Sequence, residues 1–293
     1  MTLDEIERMT MKLTLQAEAL AALGARLELG GRGASGHPVL APRFDQVAAL
    51  LGANLDGLSP AEMRRVAGTV RAFFLQAAEM LRDPECAPGW RYKDPDVLQA
   101  TGASSEAFPA ILDKVAHTME GLSERLAKGA RFLDVGTGVG RLAIASCKKW
   151  PSMRVVGLEP WHVSLALARS NVAEAHLEDR IELRAHRVEE LNDREPFDLV
   201  WLPGPYLPAS VLPVAAQCAR RALAPGGWVI LGVFGTVPDP LALAITELRV
   251  VRSGGDPLRA ADGERVLADA GFHDVRVLAR STENPMDMVL GRA

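Results

Sequence analysis

The chain has 293 residues, 48% apolar and 24% charged, with a formal net charge of −4 at pH 7. This is an ordinary globular composition with room for one large domain or two modest ones. It carries neither the basic excess of a nucleic-acid binder nor an apolar run near the roughly 20 residues that span a bilayer. Its three cysteines, Cys86, Cys147 and Cys218, lie too far apart for a metal motif or a disulfide framework. The acidic start, Met-Thr-Leu-Asp-Glu-Ile-Glu, predicts no signal peptide, and with reduced thiols the reading is a cytoplasmic protein.

Leu3, Ile6, Met9, Leu13, Ala17 and Leu20 recur at steps of three or four, which predicts a helix over 3–27. The Gly-rich stretch 29–36 reads as a flexible break. It lacks the Lys-Ser/Thr ending of a phosphate loop. A second helix is expected over 43–51. Ser59-Pro-Ala-Glu62 combines an N-cap, Pro at the first helical position and Glu at the third, so a third helix should run from there to about Leu81, stopped by Asp83-Pro84. These helices carry more apolar surface than they can bury alone. They either pack on the rest of the chain or pair two copies of it.

Residues 88–95 form a turn-rich connector holding Trp90 and Tyr92, in a chain with only five Trp and two Tyr. Two readings stand: a lid whose rings exclude water from a site, or aromatic packing at a junction. A short helix over 96–99 follows, then a helix over 106–126 capped by Ser104 or Ser105, with His117 in a structural role. The predicted boundaries are 1–87, 88–127 and 128–293.

From Lys128 onward strand and helix alternate, which implies an α/β fold with a mostly parallel sheet covered on both faces. Predicted strands are 132–135, 154–158, 181–184, 198–202, 228–233, 275–279 and 286–290. Helices are expected over 141–149, 163–175, 210–223, 240–251 and 263–270. Ligands of such a sheet sit beyond the carboxyl ends of its strands. That gathers the glycine turn 136–140, Glu159, the 186–189 turn and the 203–206 turn around one crevice.

The chemistry concentrates in Phe132-Leu-Asp-Val-Gly-Thr-Gly-Val-Gly140. A strand, a glycine turn and a helix start expose free N–H groups to a ligand. A dinucleotide fingerprint would need Gly where Arg141 stands, and Asp134 would repel a pyrophosphate. Asp134 suits an ammonium group instead. Glu159, at the end of the next strand, can accept from both hydroxyls of a ribose. The pair fits an adenosyl ligand with an amino-acid tail.

Here the sequence resembles the class I S-adenosylmethionine-dependent methyltransferases. The resemblance runs from about Lys128 to the C-terminus. It implies a Rossmann-like, doubly wound sheet of seven strands with the last, 286–290, antiparallel. It implies S-adenosyl-L-methionine as cofactor and S-adenosyl-L-homocysteine as product. It implies that Asp134, Gly136, Thr137, Gly138 and Gly140 hold the methionine tail and Glu159 the ribose, with Pro160, Trp161, Val188 and Pro203 around the rest of the ligand. Arg187 stands where the family often has an Asp for the adenine amino group, so Val188 backbone or Glu189 would have to replace that contact. Many small-molecule members have a helical N-terminal region that dimerises and roofs the substrate.

Methyl transfer from a sulfonium is an in-line displacement with an already activated leaving group. Positioning and water exclusion then supply most of the acceleration, and no metal is needed. Tyr206, His162 and Tyr92 are the acceptor-side candidates for catalysis, with His186 nearby. The Leu202-Pro-Gly-Pro-Tyr206 turn lacks the leading Asn or Asp of the amino-methylating nucleic-acid enzymes it otherwise resembles. The expected function is methylation of a natural-product or metabolic small molecule. An RNA or protein methyltransferase and a non-catalytic adenosyl-ligand binder are the alternatives, and an NAD-dependent dehydrogenase is disfavoured by Arg141 and Asp134.

Overall fold

A computed structural model describes residues 1–235, 237–278, 280 and 286–293. It divides into two compact units, one of residues 1–85 with 94–103 and one of residues 86–93 with 104–293. Residues 94–103 group with the N-terminal helices, and residues 86–93 and those from 104 on with the larger unit.

The first unit is helical: α1 (Leu3–Arg32), α2 (Ala41–Leu50), α3 (Pro60–Arg82) and α4 (Pro95–Ala103). The capping box read at Ser59 is present, with Ser59 N donating to Glu62 at 2.8 Å and Glu62 N donating to Ser59 at 3.3 Å. Helix α1 runs past its predicted end at 27 to Arg32, so the break read over 29–36 begins only at Gly33. Its glycines are close-approach positions. A Cβ on Gly24 would lie 2.8 Å from Val70, and one on Gly31 would lie 2.6 Å from Arg64 and 3.2 Å from the Pro60 carbonyl. Bare backbone lets α1 and α3 touch, and the helix stops one residue later at Gly33, whose φ of 64° makes a left-handed cap. The N-terminal half of α1 leaves Leu3, Ile6, Met9, Leu13 and Leu15 exposed.

The second unit holds α5 (Phe108–Val115), α6 (Leu122–Lys128), β1 (Arg131–Val135), α7 (Arg141–Lys149), β2 (Arg154–Leu158), α8 (His162–Glu174), β3 (Ile181–Arg184), β4 (Phe197–Pro203), α9 (Leu212–Ala222), β5 (Leu223–Val233), α10 (Pro240–Arg252), α11 (Ala260–Asp269), β6 (His273–Leu278) and β7 (Asp287–Arg292). The strand predicted to reach Ala279 is described only to Leu278. The single helix expected over 106–126 is instead two helices with turns. Pro109 cannot continue a helix from Ser105, because its ring would meet the carbonyl four residues back. Gly121, at φ 75°, turns the chain again before α6. The opened carbonyls are used: Trp228 Nε1 donates to that of Glu120 at 3.1 Å.

The sheet order is β3-β2-β1-β4-β5-β7-β6. Strands β1 to β5 pair in parallel and β7 runs antiparallel between β5 and β6. Alternate residues face opposite layers. Phe132, Val155, Leu199 and Ile230 pack with α5 and α7, while Leu133, Val156, Val200 and Leu231 pack with α9 and α11. Burial on both faces is what makes the strands read as unbroken apolar runs. Chain order reverses between β1 and β4, and the crevice expected at that switch lies beyond Val135 and Pro203.

Asp193 ties the start of β1 to the end of the edge strand β3. Arg131 Nη2 donates to it at 2.6 Å and Arg184 Nη1 at 2.7 Å, and the aspartate side chain is 5% exposed. Burial works to raise its pKa, and the hydrogen bonds from Arg184 and Arg131 overcome that and hold it below the ordinary value. Arg131 also covers the Phe197 ring at 3.9 Å. Asp193→Ala would leave two half-buried guanidinium groups facing each other. It should cost about 3 kcal/mol in urea denaturation, with Asp193→Asn intermediate. A loss within experimental error would mean that solvent screens the cluster.

Candidate active site

Sterics at the end of β1 fix the site. Gly136, Gly138 and Gly140 have φ of 63°, 59° and 77°, a left-handed series that a side chain would strain. A Cβ on Gly138 would meet nothing closer than Gly136 O at 4.0 Å, so that position is held by backbone conformation rather than packing. The loop is pinned from three sides. Thr137 N donates to Leu158 O at 3.0 Å. The buried Asn171 on α8 donates to Val139 O at 2.7 Å. Gly157 on β2 leaves room for Thr137, whose Cγ2 would stand 2.9 Å from a Cβ there.

Two carboxylates stand beside this loop. Asp134 is 1% exposed and accepts a 2.6 Å hydrogen bond from Thr137 Oγ1, the only donor to it among the described residues. Glu159 is 7% exposed; its Oε2 accepts from Gly138 N at 2.9 Å and its Oε1 from Trp161 N at 2.8 Å. Burial pushes the pKa of Asp134 up to about 7, against the Thr137 bond and with a further push from the Glu159 charge. Burial likewise raises Glu159 to about 7, against its bonds from Trp161 and Gly138. Neither acid has a cationic partner among the described residues. A glycine cradle with outward N–H groups beside two unpaired buried acids suits a ligand with a cationic end and hydroxyl donors. This fits the adenosyl ligand inferred from the sequence.

The remaining predicted residues are spread around this centre. Pro203 is buried, with its Cγ 3.2 Å from where a Gly136 Cβ would be. Pro160 is exposed and Trp161 half-buried. Val188 is 3% exposed and its side chain sits in the core, so only its backbone can face a ligand. Arg187 is exposed, and its N–H donates to Glu190 at 2.6 Å. His162 is exposed at the start of α8, its ring 5.0 Å from that of Trp161.

The aromatic connector belongs to this unit and is bound into it. Trp161 Nε1 donates to Tyr92 O at 2.9 Å, and Gly89 N donates to Arg252 O at 3.0 Å. Trp90 stands edge-on to Tyr92 at 5.0 Å and to Tyr206 at 5.4 Å. Tyr92 is 7% exposed. Tyr206 keeps 43% of its surface open, yet its hydroxyl is crowded enough by protein that burial raises its pKa. It is a neutral hydrogen-bonding group at physiological pH rather than a phenolate base. Sequence reasoning missed the third wall, the loop after α10. A Cβ on Gly255 would lie 2.1 Å from Pro205 O, and Asp256 accepts from Ala209 N at 2.7 Å. Only the Gly254-Gly255 pair signalled it.

The two acids make stability depend on pH. Their folded pKa values are raised, so the folded state binds protons more tightly than the unfolded chain, and stability falls as pH rises from about 4 through about 7. Asp134→Asn keeps an acceptor for Thr137 and removes one buried charge. It should stabilise the ligand-free protein by roughly 2 kcal/mol at pH 8 and by much less at pH 5, in urea denaturation. An unstabilised variant at pH 8 would mean that the carboxylate carries no such penalty.

Comparison with known proteins agrees with this geometry. A family described as a methyltransferase domain matches residues 132–227, which hold the glycine loop, Glu159 and the turn after β4. The malonyl-[acyl-carrier protein] O-methyltransferase of Geobacter sulfurreducens is 30% identical over 202 residues, 64% of this chain and 72% of that protein. The chain spans 22% to 72% of the length of the curated relatives it matches. A putative O-methyltransferase of Nostoc punctiforme shares the fold over 100% of both chains, with a TM-score of 0.70 at 15% identity. Human N-acetylserotonin methyltransferase does so over 99% of this chain and 98% of its own, with a TM-score of 0.62 at 14% identity. The chain belongs to the class I S-adenosylmethionine-dependent methyltransferases.

Proposed function

We propose that this chain transfers the methyl group of S-adenosylmethionine to an oxygen of a small-molecule acceptor of natural-product or general metabolism. The observation that carries this is the pair of uncompensated buried acids, Asp134 and Glu159, flanking an intact glycine cradle. Oxygen as the acceptor atom is supported by the names of the two similar O-methyltransferases, and a small-molecule acceptor by that of the N-acetylserotonin enzyme. An acidic chain, at net charge −4, gives an RNA substrate no electrostatic support.

In this reading Asp134 and the loop N–H groups hold the amino-acid tail, Glu159 holds the ribose hydroxyls, and Trp161 and the Val188 backbone flank the adenine. The cofactor supplies a sulfonium-bound methyl group that needs no further activation. The chain's part is to orient the acceptor and exclude water. Trp90, Tyr92 and Tyr206 form an apolar wall suited to that task, with the neutral Tyr206 hydroxyl able to hydrogen-bond the acceptor. No residue of this wall has to act as a base if the acceptor arrives with an acidic hydroxyl.

Calorimetry should detect S-adenosylmethionine or S-adenosylhomocysteine binding and none of NAD. Glu159→Ala should weaken it by about 1.5–3 kcal/mol, the worth of charge-assisted hydrogen bonds. A cationic ligand selects the charged form of acids that titrate near 7 in its absence. Affinity should be level above pH 8 and drop up to about tenfold per acid for each pH unit below 7. Binding that does not change from pH 5 to 8 would detach the acids from the ligand. Cofactor binding with no methyl transfer across a broad acceptor panel would favour a non-catalytic adenosyl-ligand binder.

The exposed apolar face of α1 supports a homodimer through the N-terminal helices. Leu3, Ile6, Met9 and Leu13 form one stripe, with no buried residue before Gly24. Light scattering should give twice the chain mass, and Ile6→Asp with Met9→Asp should give monomers. A wild-type monomer at working concentration removes the dimer.

A further inference from the structure

Beyond the end of β5 lies a cavity of about 150 Å³ that the cofactor residues do not reach. Phe234, Gly235 and Val237 form one side, Thr246 and Arg249 of α10 another, and Arg280 a third. Its walls are of two kinds. Phe234, Val237 and the methyl of Thr246 are apolar, and the Thr246 hydroxyl is spent on Ala242 O at 2.8 Å. The other two residues are arginines, and neither guanidinium has an ion-pair or hydrogen-bond partner among the described residues. The nearby acids are engaged elsewhere. Glu247 pairs with Arg259 at 2.6 Å and Asp239 caps α10 through Leu241 N at 2.7 Å, while Asp287, beside the cavity wall at Gly235, accepts from the Arg280 backbone N–H at 2.7 Å and forms no ion pair with either guanidinium. Gly235 is required here, because a Cβ would lie 2.7 Å from Asp287 Oδ2 and 2.9 Å from Arg280 Cδ.

We propose that this cavity is a subsite for the carboxylate-bearing ring of the methyl acceptor, with Arg249 and Arg280 as its counter-cations. The proposal rests on the methyl-transfer reading above and adds the substrate class to it. Three considerations carry it. A cavity of this volume with apolar walls accommodates a single six-membered ring. Two unpaired guanidinium groups on different elements, facing one cavity, offer planar forks that match a carboxylate. The position is also right: β5 lies two strands from β1 in the order β1-β4-β5, about 10 Å at ordinary strand spacing. A ring anchored at β5 is therefore within one small-molecule length of the glycine loop. The acceptor would be held by its acid at one end and present its methylated atom at the other.

The test measures equilibrium binding of 4-hydroxybenzoate, 2-naphthoate and their neutral amides, by calorimetry, to full-length protein with and without saturating S-adenosylhomocysteine. The acids should bind and the amides should bind roughly ten- to a hundredfold more weakly, the difference expected for losing a charge-assisted pair. Arg249→Met and Arg280→Met, both exposed positions where folding is not at risk, should each abolish that preference. Both should leave S-adenosylhomocysteine affinity unchanged. Equal binding of acids and amides, no binding of either, or a preference that survives both substitutions would overturn the proposal. Failure of S-adenosylhomocysteine to bind would instead count against the methyl-transfer reading. The acid-over-amide comparison without it would still decide whether the cavity holds anions.

Discussion

Glu159 is the joint on which the site depends. Its carboxylate accepts one N–H from the glycine loop after β1 and one from Trp161 after β2. It thereby fixes two adjacent strand ends relative to each other. Trp161 passes the constraint on, since its indole N–H holds the Tyr92 carbonyl of the connector. One side chain sets the loop, the adjacent turn and, through one more hydrogen bond, the aromatic wall. The same carboxylate has no cation among the described residues to offset its burial, and its charge raises the pKa of Asp134 beside it. The apoprotein is thus organised around a destabilising feature, as binding sites often are when the ligand supplies the missing charge.

The glycine-loop half of the candidate site was legible because it is local. Strand, glycine turn and helix start follow one another within a dozen residues, and the pattern of Asp134, three alternating glycines and Glu159 has few structural explanations. The sheet was equally legible, because burial on both faces forces continuous apolar runs at β1, β2, β4 and β5. The errors have physical causes. The glycines of α1 read as a break because propensity penalises them, and their use as contact points against α3 is a tertiary property. The helix over 106–126 ignored Pro109, whose local veto outweighs the apolar periodicity around it. Arg187 occupies an expected adenine-contact position, but its side chain is exposed and only a register at the end of β3 could have said so.

The acceptor half was not legible, and the reason is topological. Trp90, Tyr206, Arg249, Gly255 and Arg280 come from five separate segments and share no motif. Trp90, Tyr206 and the end of α10 are joined by a set of single contacts: Gly89 to Arg252, Gly255 against Pro205, and Asp256 to Ala209. Each is invisible as a sequence pattern, and each moves an entire loop if changed. Gly255 is the clearest case. With Pro205 O at 2.1 Å from its missing Cβ, any larger residue must displace the turn that carries Tyr206.

This division has a consequence for how specificity can vary. Asp134, the glycine loop and Glu159 lie on strand ends whose spacing is fixed by the sheet ladder, so a shift of one disturbs its neighbours. The proposed acceptor residues hang on loops joined to that ladder at a few points. Arg280 is positioned through its backbone bond to Asp287 on β7, and Arg249 rides on α10, whose start is set by the Asp239 cap. Either arginine can be replaced without touching β1 or β2. If the two arginines hold the acceptor as proposed, a change in its charge preference requires one or two surface substitutions, whereas a change of cofactor would require rebuilding the glycine loop, both acids and the register between them. The fold separates the two problems because it assigns one to hydrogen-bonded strands and the other to loop contacts.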